Sequence, residues 1–194
     1  MSGVPGSSLV TLSRTHWRLF YLVLGQVGWL ICVLSAAGGQ GWLGVLFVAL
    51  LLAGHLSWAT NRLREATFVA VVTVAGWGWE SLVLQTGWIA YPNGMVLAGY
   101  APYWMASLWA LFALQINPLF SWLRAHRALA ALLGAVGGPL SFRAGAALGA
   151  IRFVDTWAAV ALIAGGWAII FPTLLWLGER VTVTPHGRHG ALHP

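Results

Sequence analysis

The chain reads as an all-α, polytopic transmembrane helical bundle of about six spans with both termini in the cytoplasm. Three observations predict it. Hydrophobic residues make up 59% of the 194 residues and charged residues only 7%, whereas a soluble domain carries about 25% charge. The apolar residues fall in runs close to the roughly 20 residues that cross a bilayer core, and mean hydropathy is +0.80. The arginines stand one or two at a time between those runs, where they act as topology determinants.

Residues 1–18 form a cytoplasmic N-terminal segment carrying Arg14 and Arg18 ahead of the first span, residues 19–37. With Ser35, Ala36 and Ala37 behind it, this run imitates a signal peptide. It is longer than an h-region of about 7–15 residues and further spans follow, so it reads as retained. The Gly-rich turn 38–41 leads to span two, 42–58, and Asn61, Arg62, Arg64 and Glu65 connect it to span three, 66–84. The next connection, 85–101, holds Trp88, Tyr91, Pro92, Asn93 and Tyr100 without a charge. It is too long and too apolar for an ordinary loop and reads as an interfacial or re-entrant lid, a form that survives at depth only under cover. Span four, 102–122, is followed by Arg124, His126 and Arg127. Span five, 129–151, is interrupted by Gly137, Gly138 and Pro139, and carries the small-residue spacings Gly134-x-x-x-Gly138 and Gly145-x-x-x-Gly149. A broken cavity wall and a closely packed helix both fit that pattern. Span six, 156–177, completes a single membrane domain over 19–177, and 178–194 reads as a disordered cytoplasmic tail.

Placing both ends in the cytoplasm puts eight of the ten arginines inside and leaves only Arg143 and Arg152 elsewhere, in line with the positive-inside bias. The same scatter argues against nucleic acid despite a pI near 10.8, because no basic face is built. Cys32, the single cysteine, lies in an apolar run, which excludes a disulfide framework and a thiolate metal cluster. His186, His189 and His193 have a spacing that admits weak metal binding but sit in the tail, so no metal and no cofactor is expected.

Glu80 is the most informative residue. It is the only charge between Ala66 and Ala90, and a carboxylate at such depth costs roughly 2.5–3.5 kcal/mol on insertion scales, so it marks a functional site by default. At 1.5 Å per residue it lies about 21 Å from the cytoplasmic end of its span, and Arg143 lies at about the same depth in span five. Arg152 and Asp155 fall at the outer junction of spans five and six. Because charges in lipid pair, Glu80 with Arg143 and Arg152 with Asp155 are the expected pairs. The 13 tryptophans divide similarly. An interfacial belt accounts for Trp17, Trp42, Trp58, Trp88, Trp122 and Trp176. Trp77, Trp79, Trp104, Trp109 and Trp157 lie near Glu80 in sequence or depth, and aromatic faces beside a proton-donating acid can stabilise a carbocation. Gln26, His55 and Asn117 count to the cytoplasmic half, too far from Glu80 for a small shared site, and read as interhelical hydrogen-bonding residues.

The segments Ala101-Pro102-Tyr103-Trp104, Leu108-Trp109-Ala110-Leu111-Phe112-Ala113 and Gly137-Gly138-Pro139-Leu140-Ser141-Phe142-Arg143-Ala144-Gly145, with an acid in the preceding span, resemble a family of small bacterial inner-membrane proteins of unknown function. The resemblance covers about residues 19–177 and implies a fold and a location without a reaction. Phe142 stands where that family suggests tyrosine, and Pro118 where it suggests histidine. The order Glu80, Thr86-Gly87, Tyr91, Pro102 and Trp109 is similar to that of membrane carotenoid hydratases and isoprenoid cyclases.

The functional expectation is a protein of the bacterial inner membrane that binds or modifies a membrane-dissolved lipid or isoprenoid. Glu80 would be the catalytic acid or base and Asp155 a second acid. Arg143, Arg152, Trp77, Trp79, Tyr91, Asn93, Trp104, Trp109 and Trp157 would contact the substrate. Two other classes stay open: a non-catalytic scaffold for lipid-modifying enzymes, with a membrane-protein partner or a second copy of itself, and a small transporter using the buried charges.

Overall fold

A computed structural model describes residues 6–182, with side chains from His16 onward. The order is α1 (Gly6–Ala37), α2 (Trp42–Trp58), α3 (Arg62–Gln85), a two-residue strand β1 (Ile89–Ala90), α4 (Tyr103–Phe120), α5 (Arg127–Ala147), β2 (Arg152–Phe153) and α6 (Thr156–Thr182), with a 3-10 turn over Ser121–Ala125. Every apolar run becomes a helix, as continuous apolar sequence at these lengths requires where backbone polar groups must be satisfied within one segment. Five helices are long and apolar enough to cross a membrane; α2, at 17 residues, is shorter. The histidines at 186, 189 and 193 lie outside the described residues.

The expected break in span five does not occur. Helix α5 runs unbroken through Gly137, Gly138 and Pro139, so the proline removes only its own ladder donor. The glycines seat α5 on α6. A Cβ on Gly134 would collide with the Trp167 backbone carbonyl, and one on Gly138 would meet the Trp167 ring at 2.5 Å. The close-packing alternative therefore describes this helix.

Hydrogen bonds show which connections share an end. Asn93 donates its side-chain amide to the carbonyls of Ala36 and Ala37, both at 3.2 Å, which ties segment 86–102 to the close of α1. Ile89 and Ala90 pair antiparallel with Phe153 and Arg152, and the Val154 N–H donates to the Trp88 carbonyl at 2.8 Å. The α1–α2 turn, segment 86–102 and the α5–α6 turn thus form one cap. At the other end Tyr21 Oη lies 2.8 Å from His55 Nδ1, whose Nε2 is 3.7 Å from Glu65, and Arg124 donates to Asn117 Oδ1 at 2.6 Å. His55 makes the interhelical contact expected of it, whereas the Asn117 side chain accepts from the turn that follows its own helix.

Segment 86–102 is an ordered lid. Ile89 and Tyr91 are buried, the Ala101 N–H donates to Ser81 Oγ at 3.0 Å, and the Trp104 indole donates to the Asn93 carbonyl at 3.2 Å. Gly94 takes a φ of +87° here, and a side chain would also strike Trp104, so glycine is required on two counts. The stretch from Met95 to Tyr100 stands exposed, as does Trp88.

Candidate functional site

Gly76 and Glu80 are one helical turn apart on α3, so they share a face. That face is buried: Glu80 is 1% exposed. Because Gly76 has no side chain, the Trp109 ring of α4 fills the space where a Cβ would stand, and the Trp109 indole is a donor turned to the Glu80 carboxyl. Tyr91 of the lid is the second donor, its hydroxyl 3.4 Å from Glu80 Oε2, long for an O–H···O bond. Burial, and then the neighbouring carboxyl, hold the Tyr91 phenol well above its ordinary range, so it remains a donor.

From this acid a cavity of about 550 Å³ extends between α1, α4, α5 and α6, within the roughly 300–1,000 Å³ of small-molecule sites. Its wall is an aromatic stack. Trp109 lies parallel to Trp167 with centroids 5.1 Å apart, and Phe112 sets its edge against Trp167 at 5.2 Å and tilts on Phe171 at 5.8 Å. Among the described residues Glu80 is the only ionisable one on this wall; Gln26, Gln115 and Ser141 supply most of its remaining polarity. Helices α1 and α5 face each other across the cavity mouth without packing together. One hydrogen bond spans the gap, from the Trp29 indole to Ser141 Oγ at 3.1 Å.

The structure brings together few of the residues expected to share the site. Glu80 and Trp109 line the cavity, and Tyr91 reaches it through Glu80. Arg143 does not pair with Glu80. Among the described residues no ion pair joins them, and Arg143 is exposed on α5. Nine residues at about 100° each place it roughly 180° from Gly134, whose side of the helix faces α6. Nor do Arg152 and Asp155 pair. Arg152 is exposed on β2, and Asp155 instead caps α6, accepting from the Ala158 N–H at 3.0 Å.

The other tryptophans lie away from the cavity lining, apart from Trp29 and Trp167. Trp77 donates to the Ala101 carbonyl at 2.9 Å and stacks on Tyr100, while Trp79 packs where Gly166 of α6 leaves room. Trp104 belongs to the core beneath the lid, and Trp157 is 82% exposed. Asn93 anchors the lid rather than facing the cavity.

Sequence reasoning missed Phe112, Trp167 and Phe171, which look like ordinary helix residues until neighbouring helices are placed, and Gln115, a lone amide in an apolar run. It also separated Gln26 from Glu80 by depth, whereas one elongated cavity touches both. Among the described residues no cluster of His, Cys, Asp or Glu could hold a metal.

The family model described as "Protein of unknown function (DUF2878)" matches residues 18–173, which include every residue found to line the cavity. No curated protein matches the chain, and no solved structure does.

Proposed function

The chain belongs to the DUF2878 family of unknown function, and from that premise we propose that it binds a membrane-dissolved lipid or isoprenoid in the cavity beside Glu80. The observation that carries this reading is a buried carboxyl on the wall of a 550 Å³ aromatic cavity at membrane depth. Such walls suit an apolar chain, and the carboxyl engages its polar end as proton donor or acceptor. Among the described residues no cation lines the cavity beside Glu80, so the charge of an anionic headgroup would be buried without a partner. The polar end is therefore a hydroxyl or an amine, not a phosphate or carboxylate. The ligand enters sideways from the bilayer between α1 and α5, where Trp29 and Ser141 form the latch. In this reading the chain crosses the bacterial inner membrane six times, with both termini cytoplasmic and the lid outward, which agrees with the arginines at the opposite end.

The test is mass spectrometry of molecules co-purifying with the wild type and with Glu80→Gln in native nanodiscs. A specific apolar alcohol or amine held by the wild type and diminished in the variant is expected. Identical bulk phospholipid in both, with the variant merely less stable, would make Glu80 a packing residue and leave a scaffold as the better account.

A further inference from the structure

The cavity has a second polar level that Glu80 does not explain. Gln115 sits six residues beyond Trp109 on α4, about 9 Å deeper along the helix. Gly25 of α1 faces it so closely that a Cβ there would collide with the Gln115 amide, and Gln26, the next residue, lines the same cavity. Neither amide has a hydrogen-bond partner among the described residues. The Trp167 indole N–H, on the adjoining wall, is buried and likewise without a partner. Gln115 is half-buried and Gln26 exposed at the edge of the cavity, and within a bilayer these amides and the buried indole are costly to leave unmatched, because there is no bulk water to satisfy them. A plain alkyl chain would leave all three unmatched. The same groups offer donors and acceptors to an oxygen carried partway along a chain.

Resting on the reading of the cavity as a lipid site, we infer that its ligand is an oxygenated chain. One polar group lies at Glu80, and a hydroxyl, keto or ether oxygen about 9 Å further in meets Gln26 and Gln115. The amides then work as a specificity device. A site built to hydrogen-bond a ligand oxygen rejects the analogue that lacks it, because its own polar groups stay unpaired.

The experiment compares hexadecanol with a hexadecanediol bearing its second hydroxyl in mid-chain. Both are titrated into the full-length protein in nanodiscs, with quenching of tryptophan fluorescence as the readout. The wild type should hold the diol about tenfold more tightly than the mono-alcohol, the difference one satisfied buried hydrogen bond makes. Gln115→Leu and, separately, Gln26→Leu should bring the ratio toward one. Equal affinity of the wild type for the two alcohols, or an unchanged ratio in both variants, would overturn the inference while leaving the lipid site standing. Failure of the wild type to bind either alcohol would overturn the lipid site itself.

Discussion

Alanine at Gly76 should destabilise the protein, whereas alanine at Gly78, two residues along the same helix, should not. A Cβ on Gly76 would fall within the Trp109 ring, and one on Gly78 meets nothing within 4 Å. Trp109 cannot easily yield. It is 3% exposed, stacked on Trp167 and set edge-on against Phe112. Overpacking of this kind costs about 1–3 kcal/mol. Replacing glycine by alanine in a helix recovers about 0.4–1 kcal/mol where the backbone allows it. Gly78→Ala should therefore gain up to about 1 kcal/mol and Gly76→Ala should lose about 1–2 kcal/mol net. The two should melt roughly 4–12 °C apart for a chain of this size. Thermal unfolding in nanodiscs, followed by tryptophan fluorescence, measures the gap. Where Trp109 is pushed aside it has the cavity to enter, so retained apolar ligand should fall in Gly76→Ala alone. Equal melting of the two variants, or a higher melting point for Gly76→Ala, would show that Trp109 is not wedged against α3, and the wall beside Glu80 would have to be redrawn.

Other substitutions test neighbouring parts. Asn93→Ala removes both hydrogen bonds to the end of α1 and should cost about 1–2 kcal/mol. Its signature is faster amide exchange across residues 88–94 with α3 unchanged, and uniform exchange would place the anchor elsewhere. Asp155→Ala should cost about 1 kcal/mol as a lost helix cap and leave ligand content as it was. Ligand lost from a stable Asp155→Ala protein would return this acid to the site. Gly134→Val collides with the Trp167 backbone carbonyl, while Gly137 has open space around it. The first should cost about 3 kcal/mol and reduce accumulation in membranes, and Gly137→Ala should accumulate normally. Normal accumulation of both would refute the seam between α5 and α6.

The helices and the acid were legible in the sequence because each depends on one dimension. Hydropathy along the chain locates most helices within a few residues, although α1 begins at Gly6 rather than 19 and α6 runs on to Thr182, and Glu80 stands out as a lone charge in an apolar run. Depth alone could not pair it. Arg143 lies at a matching level, but Gly134 and Gly138 already fix the face of α5 that meets α6, and Arg143 falls on the far side. Counting around the helix as well as along it would have separated the two. The cavity was illegible for a different reason. Phe112, Trp167 and Phe171 come from two helices, and nothing in either segment alone marks an apolar aromatic as lining rather than filling. Gln115 carried the one available signal, an unpaired amide deep within an apolar run.

The short pairing of Ile89–Ala90 with Arg152–Phe153 bears on how the protein is made. Strand β1 leaves the ribosome long before β2, with all of α4 and α5 in between. Until β2 arrives, the backbone N–H and C=O groups that β1 will use have no partner at the lid end of the bundle. The lid is tied down only when the α5–α6 turn has been made. A chain stalled before β2 therefore lacks both the pairing that ties down the lid and α6, whose Trp167 and Phe171 complete the cavity wall.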